Sequence, residues 1–332
     1  MFTKASTYVS GALATFCITA CLVGDSASAA EPKPPALFAP GVISGAANDL
    51  SPAFSPDGRT VFFTRSNTSY SFILASHRSG DRWSTPEIAT FSGKWKDLEP
   101  AMAPDGSFLI FASNRPTADG KGALDGVYNG KTYPGGGGNL WRTDRHGDRW
   151  SEPVRLPESI NSNSGIFSPS IVSDGSLYFM QPDKENGSFH LFRSAYQAGA
   201  YQTPVKVSVG DATTEEVDPA VAPDESFIVY SSRHPQQHDK NRLHIAFRRG
   251  SGWSEPIDLG DVVNEHGSNI EARLGSDHRT LYFSTNTVPP AHLMPTAAEA
   301  SHVLEEMQIW ANDNENIWYV SLAPWLDKDR AP

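Results

Sequence analysis

Along residues 51–67, SPAFSPDGRTVFFTRSN, two short apolar runs flank a Pro-Asp-Gly turn, and the alternation within the runs has the period of a half-buried strand. The pattern recurs. EPAMAPDGSFLIFASNRP begins at Glu99, SPSIVSDGSLYFMQPD at Ser168, DPAVAPDESFIVYSSRHP at Asp218, and a more divergent EARLGSDHRTLYFSTN at Glu271. The copies continue into two more strand-like runs joined by a Gly-containing turn, as in SFILASHRSGDRWSTPEIATF, NLWRTDRHGDRWSEPVRL, FHLFRSAYQAGAYQTPVKV and RLHIAFRRGSGWSEPIDL. One unit is therefore four strands, A to D. The Asp-Gly turns suit tight hairpins because glycine takes positive φ without steric cost. Pro52, Pro100, Pro169 and Pro219 are expected to open strand A, where no ladder donor is lost.

These prolines fall 48, 69 and 50 residues apart, and the long interval holds the Gly-rich PTADGKGALDGVYNGKTYPGGGGN between strands B and C. A period in the forties to fifties with four strands per unit predicts an all-β fold, a β-propeller of antiparallel blades. Five blades are expected, with six as the alternative. The last unit lacks a strand D, and PALFAPGVISG near the N-terminus matches the strand D pattern of EPVRLPESIN, so it is expected to complete blade five. Aromatic positions such as Phe62, Phe111, Tyr178, Tyr230 and Phe283 are expected between blades, and Trp83, Trp150 and Trp253 over blade edges.

The recurring P-x-x-S-P-D-G-x-x-hydrophobic-x-F-x-S-x-R pattern resembles the TolB-type, WD40-like propeller repeat of bacterial periplasmic proteins, over about Asn48 to Leu322. The copies with VSDG, APDE and GSDH depart from it at the turn. The resemblance implies a setting in envelope complexes without naming a partner. It does not extend to TolB's separate N-terminal α/β domain.

Residues 1–30 have the layout of an export signal: Lys4 in a short first segment, an apolar stretch from Tyr8 to Gly24, and SASAA ahead of EPKPP. ITAC, ending at Cys21, also resembles a lipobox, so lipid attachment stays open beside ordinary cleavage after Ala29 or Ala30. The expected organisation is signal 1–30, one propeller over 31–326 and a tail over 327–332, in the periplasm or secreted. Both cysteines lie in the signal, so the processed chain relies on its core and has no thiolate chemistry. No later apolar run is long enough to span a membrane. The formal charge of −11 opposes binding to nucleic acid or anionic membranes. A monomer is expected.

In such blades the D–A and B–C connections share one face. The long B–C segments, 116–139, 181–188, 234–241 and 287–316, make it the candidate functional face. In the last, Thr296 and Glu299 form a capping box for a helix with Leu304 and Met307 on one side, either a lid or a helix packed on blades five and one. Before strand A, Asp49, Asp97, Glu216 and Asn269 align in one column and Glu99, Asp218 and Glu271 in a second, while strand B returns with Arg65, Asn114, Arg115, Arg233 and Asn286. Alternate residues there can point to the central channel. The acids either pair with the arginines to fix blade geometry or form a polar mouth, with Asp97, Glu99, Arg115, Glu216, Asp218, Arg233 and Glu271 as ligand-binding candidates. As acid/base groups of a carbohydrate-active enzyme the candidates are Asp49, Asp97, Glu99, Glu216, Asp218 and Glu271. RHPQQHDKNRLH has no zinc spacing and reads as a solvated loop, and YPGGGGN lacks the lysine of a phosphate loop and reads as a hinge. No cofactor or metal site is expected, with a calcium-like cation at the channel mouth left open. The expected role is binding of an envelope protein or a glycan, and the alternative is a glycoside hydrolase or lyase.

Overall fold

The structure, a computed structural model, describes Met1 and residues 31–117, 122–128, 130–184, 187–210, 214–233, 240–265, 267–287 and 296–329. The expected export signal with Cys21, and the loop histidines His234 and His238, lie outside the described residues.

Five antiparallel four-stranded sheets form a ring, a five-bladed β-propeller. Strands A to D are Asn48–Phe54, Thr60–Ser66, Ser71–Ser79 and Glu87–Ile88 in blade 1, and Asp97–Met102, Phe108–Ser113, Asn139–His146 and Val154–Arg155 in blade 2. Blade 3 uses Phe167–Ile171, Leu177–Pro182, Phe189–Ser194 and Val205–Lys206, and blade 4 uses Glu215–Val221, Phe227–Arg233, Arg242–Arg249 and Ile257–Asp258. Blade 5 takes Ile270–Leu274, Thr280–Thr285 and Asn316–Ser321 from the end of the chain and Ala36–Leu37 from its beginning. Ala36 pairs with Tyr319 and Leu37 with Trp318, and the Phe38 N–H donates to the Ile317 carbonyl at 2.8 Å. The ends of the propeller are thus joined within one sheet.

Alternation along the strands sends apolar residues into five clusters, one at each blade interface. Phe62, Ile73, Phe91 and Phe111 fill the interface of blades 1 and 2, and Phe38, Val61, Phe63 and Ile317 that of blades 5 and 1. The tryptophans after the C–D turns cover these clusters: Trp150 packs edge-on to Phe62 at 5.5 Å and Trp83 to Phe38 at 5.6 Å. Outer strands D are two residues long and follow Pro86, Pro153, Pro204, Pro256 and Pro35, which blunts every exposed edge.

The prolines of strand A do not open it. In each blade the A–B register shifts by a bulge, and Pro52, Pro100, Pro169 and Pro219 sit inside that bulge, which removes the need for their missing N–H. The turns that depart from Asp-Gly keep its geometry. Gly58, Gly106 and Gly175 have φ of 66°, 74° and 83°, and Glu225 and His278 take 57° and 52° at the same position. The Glu225 carboxylate accepts from Tyr178 and from Arg193 at 2.8 Å and lies 3.2 Å from Arg248, contacts that offset the strained backbone.

Three helices complete the described chain. Helix α1, Asp261–Asn264, places the Asn264 amide on both the N–H and the carbonyl of Leu243. Helix α2, Ala297–Ile309, has the Thr296–Glu299 capping box, but none of its residues is buried, and Leu304 and Met307 are exposed rather than packed on blades five and one. Helix α3, Ala323–Asp329, buries Trp325 and Leu326 in the cluster between blades 4 and 5 and runs across the expected tail boundary at 327. The YPGGGGN tract is a close-packed seat instead of a hinge. A Cβ on Gly138 would stand 2.1 Å from the Phe167 ring, and one on Gly137 2.7 Å from the Asp125 carbonyl oxygen. His244 lies in strand C of blade 4, stacked on Tyr230 at 5.8 Å.

Deleting residues 31–45 removes the outer strand of blade 5 and Phe38 and Ile43 from its core, so the melting temperature should fall sharply; an unchanged melt would refute the closure. His278→Gly relieves a left-handed side chain and should raise stability by about 1 kcal/mol in denaturant unfolding. Glu225→Gly should lower it, because the arginines lose their shared carboxylate.

Candidate functional site

The strand A bulge decides where the acids point. Its central residue is left-handed in every blade, with φ of 50° at Ser51, 54° at Glu99, 48° at Ser168, 56° at Asp218 and 57° at Glu271. These five residues form a belt, a chain of hydrogen bonds around the axis, which Thr64 closes on to blade 1. The Ser51 hydroxyl donates to Glu271 at 2.6 Å, and the Glu271 N–H to Asp218 at 3.0 Å. The Ser168 hydroxyl donates to Asp218 at 2.6 Å and its N–H to Glu99 at 2.6 Å, while the Glu99 N–H donates to Thr64 of blade 1 at 2.8 Å. Every blade is thereby tied to both neighbours. Arg273 adds a cation, donating to Glu271 at 3.1 Å, and its Nε has no hydrogen-bond partner among the described residues.

Burial without a full complement of cations pushes Glu99 and Glu271 toward the neutral form. It raises the Glu99 carboxyl to about 7, with Asp218 adding to the rise against the Ser168 N–H and Arg273. Burial, then Glu99 and Asp218, raise Glu271 well above the usual carboxylate range.

The first column lies one step outward and makes clamps between the D–A connection and strand B. Asp49 takes a two-point contact from Arg65 at 2.6 and 3.2 Å and accepts from the Gly45 N–H at 2.7 Å. Asp97 accepts from Ser113 at 2.6 Å, Ser92 at 2.9 Å and Arg115 at 3.1 Å. Glu216 contacts His190 at 2.8 Å and accepts from Thr214 at 2.6 Å, whereas Arg233 pairs with Glu215 at 2.7 Å. Asn269 donates to the Val263 carbonyl at 3.0 Å. The six candidate carboxylates are 0 to 8% exposed. Among the described residues, no group of three or more His, Cys, Asp or Glu side chains is arranged to hold a metal ion.

Sequence reasoning passed over Ser51, Ser168, Thr64, Arg273 and His190. The two serines share the column of Glu99, immediately before the strand A proline, and that position was their signal. It also missed the aromatic side chains on the B–C face. Tyr70, stacked on Phe72 at 6.0 Å, is exposed in blade 1, and the insertion in blade 2 forms a hairpin, Gly126–Tyr128 with Lys131–Tyr133, whose two tyrosines stack at 4.5 Å. The hairpin leans on strand A of blade 3, where Tyr128 lies edge-on to Phe167 at 6.3 Å; burial raises the Tyr128 phenol, and Tyr133 and Glu99 add to the rise. On the opposite face the axis opens into a cavity of about 90 Å³ walled by Pro52, Pro100, Pro169, Met102 and Ile171, with Arg273 in its lining.

No protein-family model matches the chain, and a search of the curated proteins finds no match. Among solved structures, an alpha-L-arabinofuranosidase from Lactobacillus brevis is similar with a TM-score of 0.52 at 13% identity, over 85% of this chain and 92% of that one. An alpha-L-arabinofuranosidase from Podospora anserina, solved with cellotriose, has a TM-score of 0.50 at 10% identity, over 87% of this chain and 96% of that one. TolB from Acinetobacter baumannii has a TM-score of 0.46 at 16% identity, over 72% of this chain and 49% of that one. The chain thus spans about half the length of that TolB. At such identities the likeness is one of fold.

The raised acids give a pH dependence of known sign. A carboxyl whose folded pKa lies above its unfolded value stabilises the fold fully below the unfolded value and loses that contribution as pH rises through the folded one. For Glu99 the window runs from about 4.5 to about 7, and up to roughly 3 kcal/mol is at stake. The protein should melt at a higher temperature at pH 5 than at pH 8. Glu99→Gln should flatten that difference, and an equally steep dependence in the variant would count against a buried, proton-holding belt.

Proposed function

We propose that this chain is an exported β-propeller of the periplasm or cell envelope that works as a binding module, for a protein partner or a glycan, through the face bearing the B–C loops. The observation that carries this reading is a division of labour. The candidate acids are spent inside the molecule on the belt and the clamps, whereas the B–C connections display tyrosines that the core does not need. A polar group already satisfied by its neighbours has little left to offer a ligand, while an aromatic ring on a rigid scaffold offers area at low entropic cost. The export setting rests on the layout of residues 1–30 and on the TolB-type repeat. No helix among the described residues is long and apolar enough to cross a membrane.

A carbohydrate-active enzyme is the second reading, favoured by one observation: a Glu99 carboxyl held near neutrality has the proton affinity of a general acid.

The test uses the chain without its signal, which has no cysteine, so that single cysteines can be introduced. A bulky maleimide adduct at Ser69→Cys, in the B–C turn of blade 1, should block capture of oligosaccharides or envelope proteins, and one at Asp81→Cys, in the C–D turn, should not. The reverse pattern would move the site to the other face. Release of reducing sugar that disappears in Glu99→Gln would replace the binding reading with the enzymatic one.

A further inference from the structure

The hairpin inserted in blade 2 is built to hold two tyrosines. Its register pairs Tyr128 with Lys131 and Gly126 with Tyr133, which puts Tyr128, Lys131 and Tyr133 on one face and Val127 and Thr132 on the other. Gly126 makes the stack feasible, since a Cβ there would stand 2.7 Å from the Tyr128 ring. The two rings lie 4.5 Å apart and 19° from parallel. Tyr128 is wedged edge-on against Phe189 at 5.3 Å and Phe167 at 6.3 Å, while Tyr133 has Tyr128 as its one aromatic neighbour among the described residues.

Hydrogen bonds tie the hairpin to its surroundings. The Val127 N–H donates to Ser164 at 3.0 Å, the Gly135 N–H to Asp125 at 2.7 Å, and the Gly137 N–H to the Leu124 carbonyl at 2.9 Å. Beneath the hairpin a Cβ would stand 3.0 Å from Tyr133 Cβ at Gly136, 2.7 Å from the Asp125 carbonyl oxygen at Gly137 and 2.1 Å from the Phe167 ring at Gly138. Both tyrosines are half-buried, and neither hydroxyl has a hydrogen-bond partner among the described residues. Lys131 beside them is exposed.

We infer that this hairpin is a carbohydrate platform, on which a pyranose of an extended glycan lies against the Tyr133 ring with its hydroxyls reaching the two phenols and Lys131. The inference rests on the reading of the B–C face as the binding face and names its ligand class. A pyranose carries an apolar face of C–H bonds, slightly positive, which suits the negative face of an aromatic ring, and a rim of hydroxyls that need donors and acceptors. Tyrosine hydroxyls serve as both and Lys131 donates. A rigid pair of rings orders little on binding. A peptide is the poorer fit, because its recognition uses a long sheet edge or side-chain pockets, and the hairpin strands are three residues each.

The propeller without its signal would be titrated with an array of defined oligosaccharides, and the hits followed by calorimetry and by saturation-transfer NMR. Tyr133→Ala should weaken binding about tenfold with an unchanged melting temperature, and Tyr133→Phe, which keeps the ring, should retain most of it. In the unaltered protein, saturating tyrosine ring protons should transfer to pyranose C–H protons, a readout independent of any variant. Full affinity in Tyr133→Ala, or no transfer from tyrosine, overturns the platform. An absence of any oligosaccharide hit overturns the ligand class. If capture of an envelope protein is nonetheless blocked by the adduct at position 69, the B–C face reading stands and only the glycan fails; if that adduct blocks nothing, both fail.

Discussion

A belt of hydrogen bonds around the central axis holds this propeller in register. Hydrophobic clusters supply most of the attraction between blades, but that attraction is non-directional, whereas the belt is directional. Its basis is the left-handed residue in the strand A bulge, which turns one side chain toward the axis and frees one N–H to point at the neighbouring blade. A residue at that position has to receive or supply a bond, which accounts for Ser51, Glu99, Ser168, Asp218 and Glu271 there. The proline that follows in four blades loses nothing, because the bulge has already interrupted the ladder.

Electrostatics at the axis follow from that arrangement. Three carboxyls and one guanidinium share a region with little solvent, so full ionisation of the acids is unfavourable. Outward from the belt, the clamps of Asp49 with Arg65 and Asp97 with Arg115 fasten each D–A connection to strand B, and Asn161 and Asn264 do equivalent work by bonding the backbone of Leu140 and Leu243. The polar residues nearest the axis are thus used up in making the frame rigid. Variation is left to the B–C connections, where a packed hairpin and an exposed helix are added without disturbing the blades.

Much of the architecture was legible in the chain itself. Recurrence of the Pro-Asp-Gly hairpin determined the blade unit, the five units favoured a five-bladed ring over the six-bladed alternative, and the unmatched PALF segment indicated where the ring closes, because strand patterning and turn chemistry are local properties. The aromatic spacing likewise marked the interfaces. Only the tertiary structure decided what the acids do. Glu99 and Asp97 stand two residues apart, yet one faces the axis and the other a loop, and that separation depends on a bulge whose left-handed residue no propensity announces. The partners of Glu216 and Arg233 were decided the same way, by which side chains the ring brings within reach across distant parts of the chain. The Gly-rich tract looked loose as a string of residues and became a seat only once the Phe167 ring and the Asp125 carbonyl were packed against it, since glycine permits close approach as readily as motion and composition does not say which.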